Sequence, residues 1–144
     1  MSEALEKLVI RPYAADDETQ VVALWREVFP KDPPWNEPVD IIRRKLAVGP
    51  ELFLVGVLDG RVVATVIGGY DGFRGWVNHL GVAGSLRRKG VGRKRMDEIE
   101  KRLAATGCPK INLQVRAWNE EVVEFYKTLG YKVEPHTSMG KLLE

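Results

Sequence analysis

The stretch LGVAGSLRRKGVGRKRM, residues 80–96, decides the fold prediction for this chain. An apolar run ends at a turn of small residues, six of the nine residues from Arg87 to Arg95 are basic, and Gly90 and Gly92 interrupt the charge. A strand that turns through glycine into a helix start exposes unpaired backbone N–H groups and about half a positive charge. Such an arrangement suits an anion, and we expect it to bind a diphosphate.

Two better-known phosphate motifs do not fit this stretch. A Walker A loop ends in Gly-Lys-Ser/Thr, whereas here Lys89 precedes Gly90 and no hydroxyl follows Gly92. The dinucleotide-binding fingerprint requires a third glycine where Arg95 stands. On charge alone the stretch is also compatible with a solvated basic helix face, and only the placement of the glycines favours a binding site.

Length and composition bound the classes of protein to consider. The 144 residues predict a single domain, 1–144, and the net charge of +2 is too small to indicate a nucleic-acid-binding protein by itself. The apolar runs are far shorter than the roughly 20 residues of a membrane helix, and the first residues, MSEALEK, are too charged for a signal peptide. We therefore expect a soluble, cytoplasmic protein that does not act on membranes.

Cysteine and histidine are too scarce to suggest a redox or metal centre. Cys108 is the single cysteine, so no internal disulfide is expected, and we interpret it as a small residue before a strand. The two histidines, His79 and His136, have no metal-ligand spacing with it, and no metal site is predicted. For His79, on a strand next to Leu80, we expect a packed or hydrogen-bonded side chain rather than a catalytic base.

The first half of the chain predicts a strand, two helices and a hairpin. A strand over Leu8–Ile10 ends at Pro12, and Asp16 is placed to cap a helix with an apolar stripe. That stripe consists of Val21, Leu24, Trp25 and Val28. A second helix is predicted from about Val39 to Val48. Two apolar runs then flank the pair Asp59 and Gly60, which is typical of a two-residue hairpin turn.

The second half predicts a mixed sheet. A strand from about Trp76 to Val82 precedes a helix over 90–106 that ends at Gly107, and a strand follows from Lys110 to Val115. A further helix over 120–129 precedes a last strand or hairpin at Tyr131–Val133. The order predicts an α/β (α+β) fold with a mostly antiparallel, twisted sheet, about four helices, and a parallel crossover into the strand at Lys110.

Two motifs together carry a resemblance to a known family. The first is Arg-x-x-Gly-x-Gly at Arg87–Gly92 after the strand residues Leu80–Val82, and the second is LQVRAWNEEVVEFYKTLGY at Leu113–Tyr131. In this order, and separated by one helix and one strand, they resemble the GNAT family of N-acetyltransferases. The segments PWNEPVDIIRRK and GGYDGFRG are also similar to a bacterial subgroup, the YpeA-like acetyltransferases, so the resemblance covers nearly the whole chain.

The resemblance implies an acyltransferase that uses acetyl-CoA as cosubstrate. It implies that the glycine turn binds the pyrophosphate, and that the strand at Leu80 diverges from the strand at Lys110 to leave backbone N–H groups free. One such group near Leu80 would polarise the thioester carbonyl, and others would bind the pantetheine arm. The implied coenzyme-binding residues are Leu80, Gly81, Val82, Arg87, Arg88, Lys89, Gly90, Val91, Gly92, Arg93, Asn119 and Tyr126.

The resemblance also implies a catalytic acid. Tyr126 would donate a proton to the coenzyme thiolate, and Asn119 would hold the pantetheine or adjacent backbone. By helical spacing alone, Tyr126 lies on an apolar stripe with Val122, Phe125 and Leu129, where a tyrosine is more often part of the core. Its register with Asn119 and Gly130 is what favours catalysis.

The general base is the position at which this sequence departs from its relatives. Ribosomal-protein N-terminal alanine acetyltransferases carry a glutamate where this chain has Gln114, and histone-type members place one where Trp76 stands. An amide does not accept a proton at neutral pH. Both departures argue against a protein N-terminus or a histone lysine as acceptor, and leave a water relay or a partly neutral amine.

The acceptor itself is expected to be a small-molecule or peptide amine, bound in a cleft that the family builds from two segments of the chain. We expect that cleft to be bordered by Trp35, Asn36, Tyr70, Asp71, Arg74 and Trp76. The alternative for this group is ordinary loop chemistry, since Asp71 and Gly72 also suit a turn. A monomer or a homodimer is compatible with the family.

Two other classes of protein remain open. One is a nucleic-acid-binding module, but the basic stretch has no interleaved aromatic residues and is followed by Asp97, Glu98 and Glu100. The other is a catalytically silent domain that senses acetyl-CoA, which the missing carboxylate base favours and Tyr126 opposes.

Overall fold

The computed structural model describes residues 6–86 and 90–143. Up to its last helix, the order of helices and strands is the one that the sequence predicts. In chain order the helices and strands are β1 (Val9–Pro12), α1 (Glu18–Val28), α2 (Pro38–Leu46), β2 (Phe53–Leu58), β3 (Arg61–Tyr70), β4 (Gly75–Val82), α3 (Val91–Ala105), β5 (Ile111–Leu113) and α4 (Glu120–Thr128). The strands form one sheet in the order β1-β2-β3-β4-β5.

The sheet is mixed, as predicted. Neighbouring strands from β1 to β4 pair antiparallel, and β4 pairs parallel with β5. The β2–β3 connection is the predicted two-residue turn, because Asp59 and Gly60 both have positive φ, 50° and 77°. The α/β class with a parallel last pair is therefore confirmed.

Two local predictions are wrong. Asp17, rather than Asp16, organises the start of α1: its Oδ2 accepts the Ala14 N–H at 2.8 Å, and Arg11 holds the same carboxylate. A short 3₁₀ turn over Ala15–Asp17 precedes α1 and moves the capping position by one residue. The second error is the strand at 131–133, since residues 131–143 contain no strand. That run is only three residues long, and Pro135, which lacks an N–H, follows it closely.

Compact packing divides the chain between Leu113 and Gln114. The first unit contains the sheet and the helices α1 to α3, and the second contains α4 and the residues after it. The expectation of a single domain over 1–144 stays a prediction.

Helices cover both faces of the sheet in the first unit. Trp25 of α1 and Ile42 of α2 are 2% exposed and form one core cluster with Ile67 of β3. The adjacent residue, Gly68, faces Ile99 of α3. Because successive strand residues point to opposite faces, α1 and α2 lie on one side of the sheet and α3 on the other.

The described residues contain neither a membrane-spanning helix nor a cluster of metal-binding side chains. No helix within 6–86 and 90–143 is both long and apolar enough to cross a membrane. Over the same residues, no group of three or more histidine, cysteine, aspartate or glutamate side chains is arranged to hold a metal ion.

We expect Gly68→Ala to destabilise the fold, because α3 lies too close to β3 for a side chain there. A β-carbon at Gly68 would lie 2.7 Å from Cδ1 and 3.0 Å from Cγ1 of Ile99, which is fully buried. Such overpacking costs about 1–3 kcal/mol, which urea unfolding measures. Gly69→Ala is the matched control, since its β-carbon would meet only Lys45 Nζ, at 3.8 Å. Equal stability of the two variants would contradict this packing.

Candidate active site

The edge of β4 is open beyond its first residues. β5 pairs with β4 only at Gly75, Trp76 and Val77, whereas β4 continues to Val82. Among the strands of the described chain, residues 78–82 pair only with β3, on the other edge. Among the described strands, backbone groups on the β5 side of this stretch therefore have no partner, as the family resemblance implied for the divergence of these two strands.

A β-bulge lies within this open stretch. Thr65 pairs with Gly81 and Ile67 pairs with Asn78, so Val66 alone faces two residues of β4, His79 and Leu80. His79 has a φ of 51°, in the left-handed region that non-glycine residues seldom occupy. A bulge of this kind turns the local backbone and aims it away from the regular ladder.

A buried chain of hydrogen bonds holds the bulge. Trp25 Nε1 donates to Thr65 Oγ1 at 2.8 Å, and Thr65 Oγ1 donates to the His79 carbonyl at 2.9 Å. The His79 ring packs against Trp25, with centroids 4.9 Å apart, and against Phe29 at 5.3 Å. Its Nε2 lies 3.6 Å from Asp32 Oδ2. The left-handed conformation is thus fixed by packing and hydrogen bonding together.

The residues after the bulge are also fixed by packing. A β-carbon at Gly81 would lie 3.1 Å from Val28 Cγ2, so the close approach of α1 explains why this position is glycine. From the other face, Arg95 donates to the Gly81 carbonyl at 2.7 Å and is 5% exposed. Leu80 and Val82 are half-buried. All three predicted coenzyme residues of this strand therefore lie on or beside the bulge.

The predicted anion-binding turn ends at Gly90. Gly90 is exposed, has a φ of 84° and precedes the first residue of α3. Val91 is buried, Gly92 is half-buried and Arg93 is exposed. The predicted residues Arg87, Arg88 and Lys89 lie outside the described residues.

The basic cluster does not act as one group. Lys94 Nζ donates to the Leu8 carbonyl at 2.7 Å, and Arg95 is buried against β3 and β4. Consecutive helix residues point about 100° apart, so Arg93, Lys94 and Arg95 do not share a face. Of these three, only Arg93 was predicted to bind the coenzyme, and it is the exposed one.

Tyr126 and Asn119 belong to the second unit. Asn119 precedes the first residue of α4, and its carbonyl accepts the Val123 N–H at 3.3 Å. Tyr126 is 5% exposed, and its ring makes edge contacts with Phe125 and Tyr131, with centroids 5.1 and 5.7 Å apart. Both a core role and a catalytic role are compatible with this burial.

Gln114 lies in the second unit as well. Its Nε2 donates to Ser138 Oγ, and both side chains are exposed. The position at which the family resemblance implied a glutamate in some relatives therefore holds an amide that donates a hydrogen bond to a hydroxyl.

Most of the predicted acceptor residues lie around the β3–β4 turn. Asp71 Oδ1 accepts the N–H groups of Phe73 and Arg74 at 2.7 and 2.8 Å, which lowers the pKa of the Asp71 carboxyl. The Arg74 guanidinium lies 4.1 Å above the Phe73 ring, and the Tyr70 hydroxyl donates to the Gly72 carbonyl. These contacts are those of a well-made turn.

The two predicted tryptophans are partly exposed. Trp35 is 54% exposed in the α1–α2 connection, and Trp76 is 38% exposed on β4. Asn36 follows Trp35, and its Nδ2 lies 3.5 Å from Asp32 Oδ2. Trp76 and Asn78 share one face of β4, because they are two residues apart on the strand.

A cavity of about 430 Å³ opens on the α2 side of the sheet, beside the bulge. It combines an apolar wall with five polar side chains. The apolar residues are Ile41, Val48 and Ile67, and the polar residues are Asn36, Arg44, Lys45, Asn78 and His79. Of the predicted acceptor residues only Asn36 lines it.

Sequence reasoning missed Arg44, Lys45 and His79 as cavity residues. One signal was available for Lys45, which is four residues after Ile41 and three after Ile42, and therefore lies on their side of α2. For His79 there was none, because the usual mark of a left-handed bulge residue is a glycine.

Comparison of the chain with known proteins identifies the family to which it belongs. The model of the acetyltransferase (GNAT) family matches residues 18–131. The chain therefore belongs to the GNAT family, and it is an acetyltransferase. This confirms the family that the two sequence motifs indicated.

Relatives and solved structures agree with that assignment. An acetyltransferase of Yersinia pestis (strain Pestoides F) is 42% identical over 134 residues, which are 93% of this chain and 94% of the relative. An acetyltransferase of Sodalis glossinidius is 43% identical over 125 residues, 87% of each chain.

Two solved structures show the same fold at low sequence identity. Ard1 from Thermoplasma volcanium superposes with a TM-score of 0.76 at 24% identity, covering 89% of this chain and 84% of that one. The aminoglycoside acetyltransferase AAC(6')-Iy, in complex with the bisubstrate analogue CoA-S-monomethyl-acetylneamine, gives a TM-score of 0.77 at 14% identity, covering 94% of this chain and 98% of that one.

The strain at the bulge can be measured with a pair of variants that both lack the imidazole. At a φ of 51°, alanine pays a left-handed penalty of about 1–2 kcal/mol that glycine does not. We therefore expect His79→Gly to be more stable than His79→Ala by about 1 kcal/mol in urea unfolding. If His79→Ala is the more stable of the two, residue 79 does not hold a positive φ in solution.

Proposed function

We propose that this acetyltransferase moves the acetyl group of acetyl-CoA to a primary amine, by direct attack in a complex that holds both substrates. The observation that carries the proposal is the open edge of β4, with its bulge at His79 and Leu80. Family membership supplies the reaction class, and the open edge supplies a place for the thioester and its arm.

The described residues fit an extended arm that contains amide groups. A strand edge without a partner offers alternating N–H and C=O groups, and an extended ligand with amides of its own satisfies them like an added strand. Residues 78–82 are such an edge. Beyond them the chain reaches Gly90 and the start of α3, where backbone N–H groups suit a pyrophosphate. Gly90, Val91, Gly92 and Arg93 would bind it, together with Arg87, Arg88 and Lys89.

The chemistry needs a polarised carbonyl and a protonated leaving group. Acetyl-CoA supplies the activated thioester. The Leu80 N–H would donate a hydrogen bond to the thioester oxygen as negative charge develops there, and Asn119 would hold the arm. As the amine nitrogen forms its bond to the acetyl carbon and the carbon–sulfur bond breaks, Tyr126 would give its hydroxyl proton to the departing thiolate. The amine attacks in its neutral form, the extra proton on its nitrogen leaves to solvent as the amide forms, and solvent returns a proton to the Tyr126 phenolate.

A silent acetyl-CoA sensor is the second candidate, and one observation favours it. Gln114 donates a hydrogen bond to Ser138 and offers no carboxylate at a position where some relatives have a base. A sensor would bind the coenzyme without consuming it, so turnover separates the two candidates. An acetyltransferase of this kind is expected to act in the cytoplasm as a monomer or a homodimer.

We expect acetyl-CoA to raise the melting temperature of the purified protein, and duplex DNA at physiological salt to leave it unchanged. A ligand at about 100 times its Kd adds about 2.7 kcal/mol to the free energy of unfolding. DNA binding through a basic patch alone is weak at that salt concentration. A larger shift with DNA than with acetyl-CoA would assign the basic stretch to nucleic acid.

Two glycines at the ends of α3, Gly90 and Gly107, provide a matched pair of variants for measuring acetyl-CoA binding. Gly90 and Gly107 have nearly the same φ, 84° and 91°, so alanine strains both positions equally. Gly90→Ala is expected to weaken acetyl-CoA binding about tenfold, because a β-carbon crowds the backbone N–H groups that face the phosphates. Gly107→Ala should lower stability alone, and equal binding by both variants would place the pyrophosphate elsewhere.

The role of Tyr126 is tested by removing its hydroxyl. We expect Tyr126→Phe to lower kcat about 100-fold, the usual contribution of a general acid, with the Kd of acetyl-CoA nearly unchanged. Tyr131→Phe is the control, because it deletes a hydroxyl from the ring that contacts Tyr126. Thiol release and calorimetry measure the two quantities. Undiminished turnover in Tyr126→Phe would remove Tyr126 from catalysis.

A further inference from the structure

Two basic side chains of α2, Arg44 and Lys45, line the cavity beside the bulge. Among the described residues neither forms a salt bridge, whereas the adjacent Arg43 lies 3.6 Å from Asp40. Taking the proposed function as its basis, we propose that the acceptor amine also carries a carboxylate, and that Arg44 and Lys45 bind this carboxylate in the cavity. The acceptor is then an amino acid or a compound of similar charge.

Lys45 is held against the sheet rather than in solvent. Its Nζ donates to the Gly68 carbonyl at 2.7 Å. Burial lowers the pKa of Lys45, while the Glu51 carboxylate opposes that effect from a greater distance. An ammonium has three donors, and a desolvated one gains strongly from an anionic acceptor.

Arg44 is oriented by the segment that the sequence assigned to the acceptor. Its Nη2 donates to the Trp35 carbonyl at 3.1 Å, which ties the end of α2 to the α1–α2 connection. One N–H is used in this way, and a guanidinium has five in a planar fork. The remaining face suits the two oxygens of a carboxylate, the partner that arginine binds in a bidentate manner.

Two other residues of the cavity lie next to a carboxylate. His79 and Asn36 both line the cavity, and Asp32 Oδ2 lies 3.6 Å from His79 Nε2 and 3.5 Å from Asn36 Nδ2. His79 belongs to the bulge, where the amine must arrive to meet the thioester. An acceptor with both an amine and a carboxylate therefore has an oppositely charged partner for each group among these residues.

The helix dipole alone does not explain why Arg44 and Lys45 line the cavity. Cations there interact favourably with the helix dipole whichever way they point. Arg43 has the same advantage, is paired with Asp40 and does not line the cavity. Arg43 is therefore the matched control for Arg44, because its removal takes the same charge from the same turn.

The first experiment measures kcat/KM for amino acids and for the corresponding amino acid amides, with acetyl-CoA as donor. The wild-type protein is expected to prefer the carboxylate over the amide about tenfold or more, since a charged hydrogen bond is lost in the amide. Arg44→Gln, which keeps a donor for the Trp35 carbonyl, should abolish the preference, and Arg43→Gln should retain it. No preference in the wild type, or an unchanged preference in Arg44→Gln, would overturn the inference.

A second experiment reads the cavity without turnover. Binding of N-acetyl amino acids and their amides, the products of the two reactions, is followed by NMR titration of the wild type, Arg44→Gln, Lys45→Met and Arg43→Gln. The inference is supported if binding that depends on the carboxylate disappears in Arg44→Gln and Lys45→Met but survives in Arg43→Gln. Binding that ignores the carboxylate overturns it, even if acetyl transfer to neutral amines is observed. If no amine consumes acetyl-CoA, the proposed function fails, while this titration still decides whether the cavity binds carboxylates.

Discussion

The hydrogen-bonded chain from Trp25 through Thr65 to the His79 carbonyl is the constraint on which the site depends. It joins α1, β3 and β4 at the one point where β4 departs from the regular ladder. Because the indole N–H and the hydroxyl are buried, breaking either bond would leave a polar group without a partner, at a cost of about 1–3 kcal/mol. The energy that stabilises the core thus also holds His79 in a conformation that it would not adopt alone. The bulge in turn sets the direction of the backbone at Leu80.

The elements that could be predicted are those whose signals are local. Asp59 and Gly60 supply the two positive φ angles of the hairpin by their own chemistry, and Gly107 ends α3 in the same way. The bulge could not be predicted, because His79 is held at positive φ by Thr65 and Trp25, which are far away in sequence. The strand predicted at 131–133 failed for the opposite reason: a short alternating run carries little information about whether a partner strand exists.

The partners of charged residues could not be predicted from the sequence either, as the basic runs of α2 and α3 show. The composition of a run can be counted, but the face of each residue depends on where the helix begins and what it packs against. In α3, Arg93 is exposed while Lys94 and Arg95 bond to carbonyl groups of the sheet region. In α2, Arg43 is paired at the surface while Lys45 reaches a carbonyl of β3. Each run is therefore divided among different partners, and its composition alone does not show which of its residues can bind a ligand.

This division bears on how an acetyltransferase without an evident carboxylate base could work. A nearby anion on the acceptor raises the pKa of its amine, which hinders loss of the proton that must precede attack. If Arg44 and Lys45 neutralise that anion, the opposing positive charge favours the neutral amine near Leu80. The same two cations would then select the acceptor and lower the pKa of its amine, which reduces the need for a strong base at the positions of Gln114 and Trp76. The bulge and the basic end of α2 would act on one reaction through two different kinds of interaction, backbone hydrogen bonding and charge.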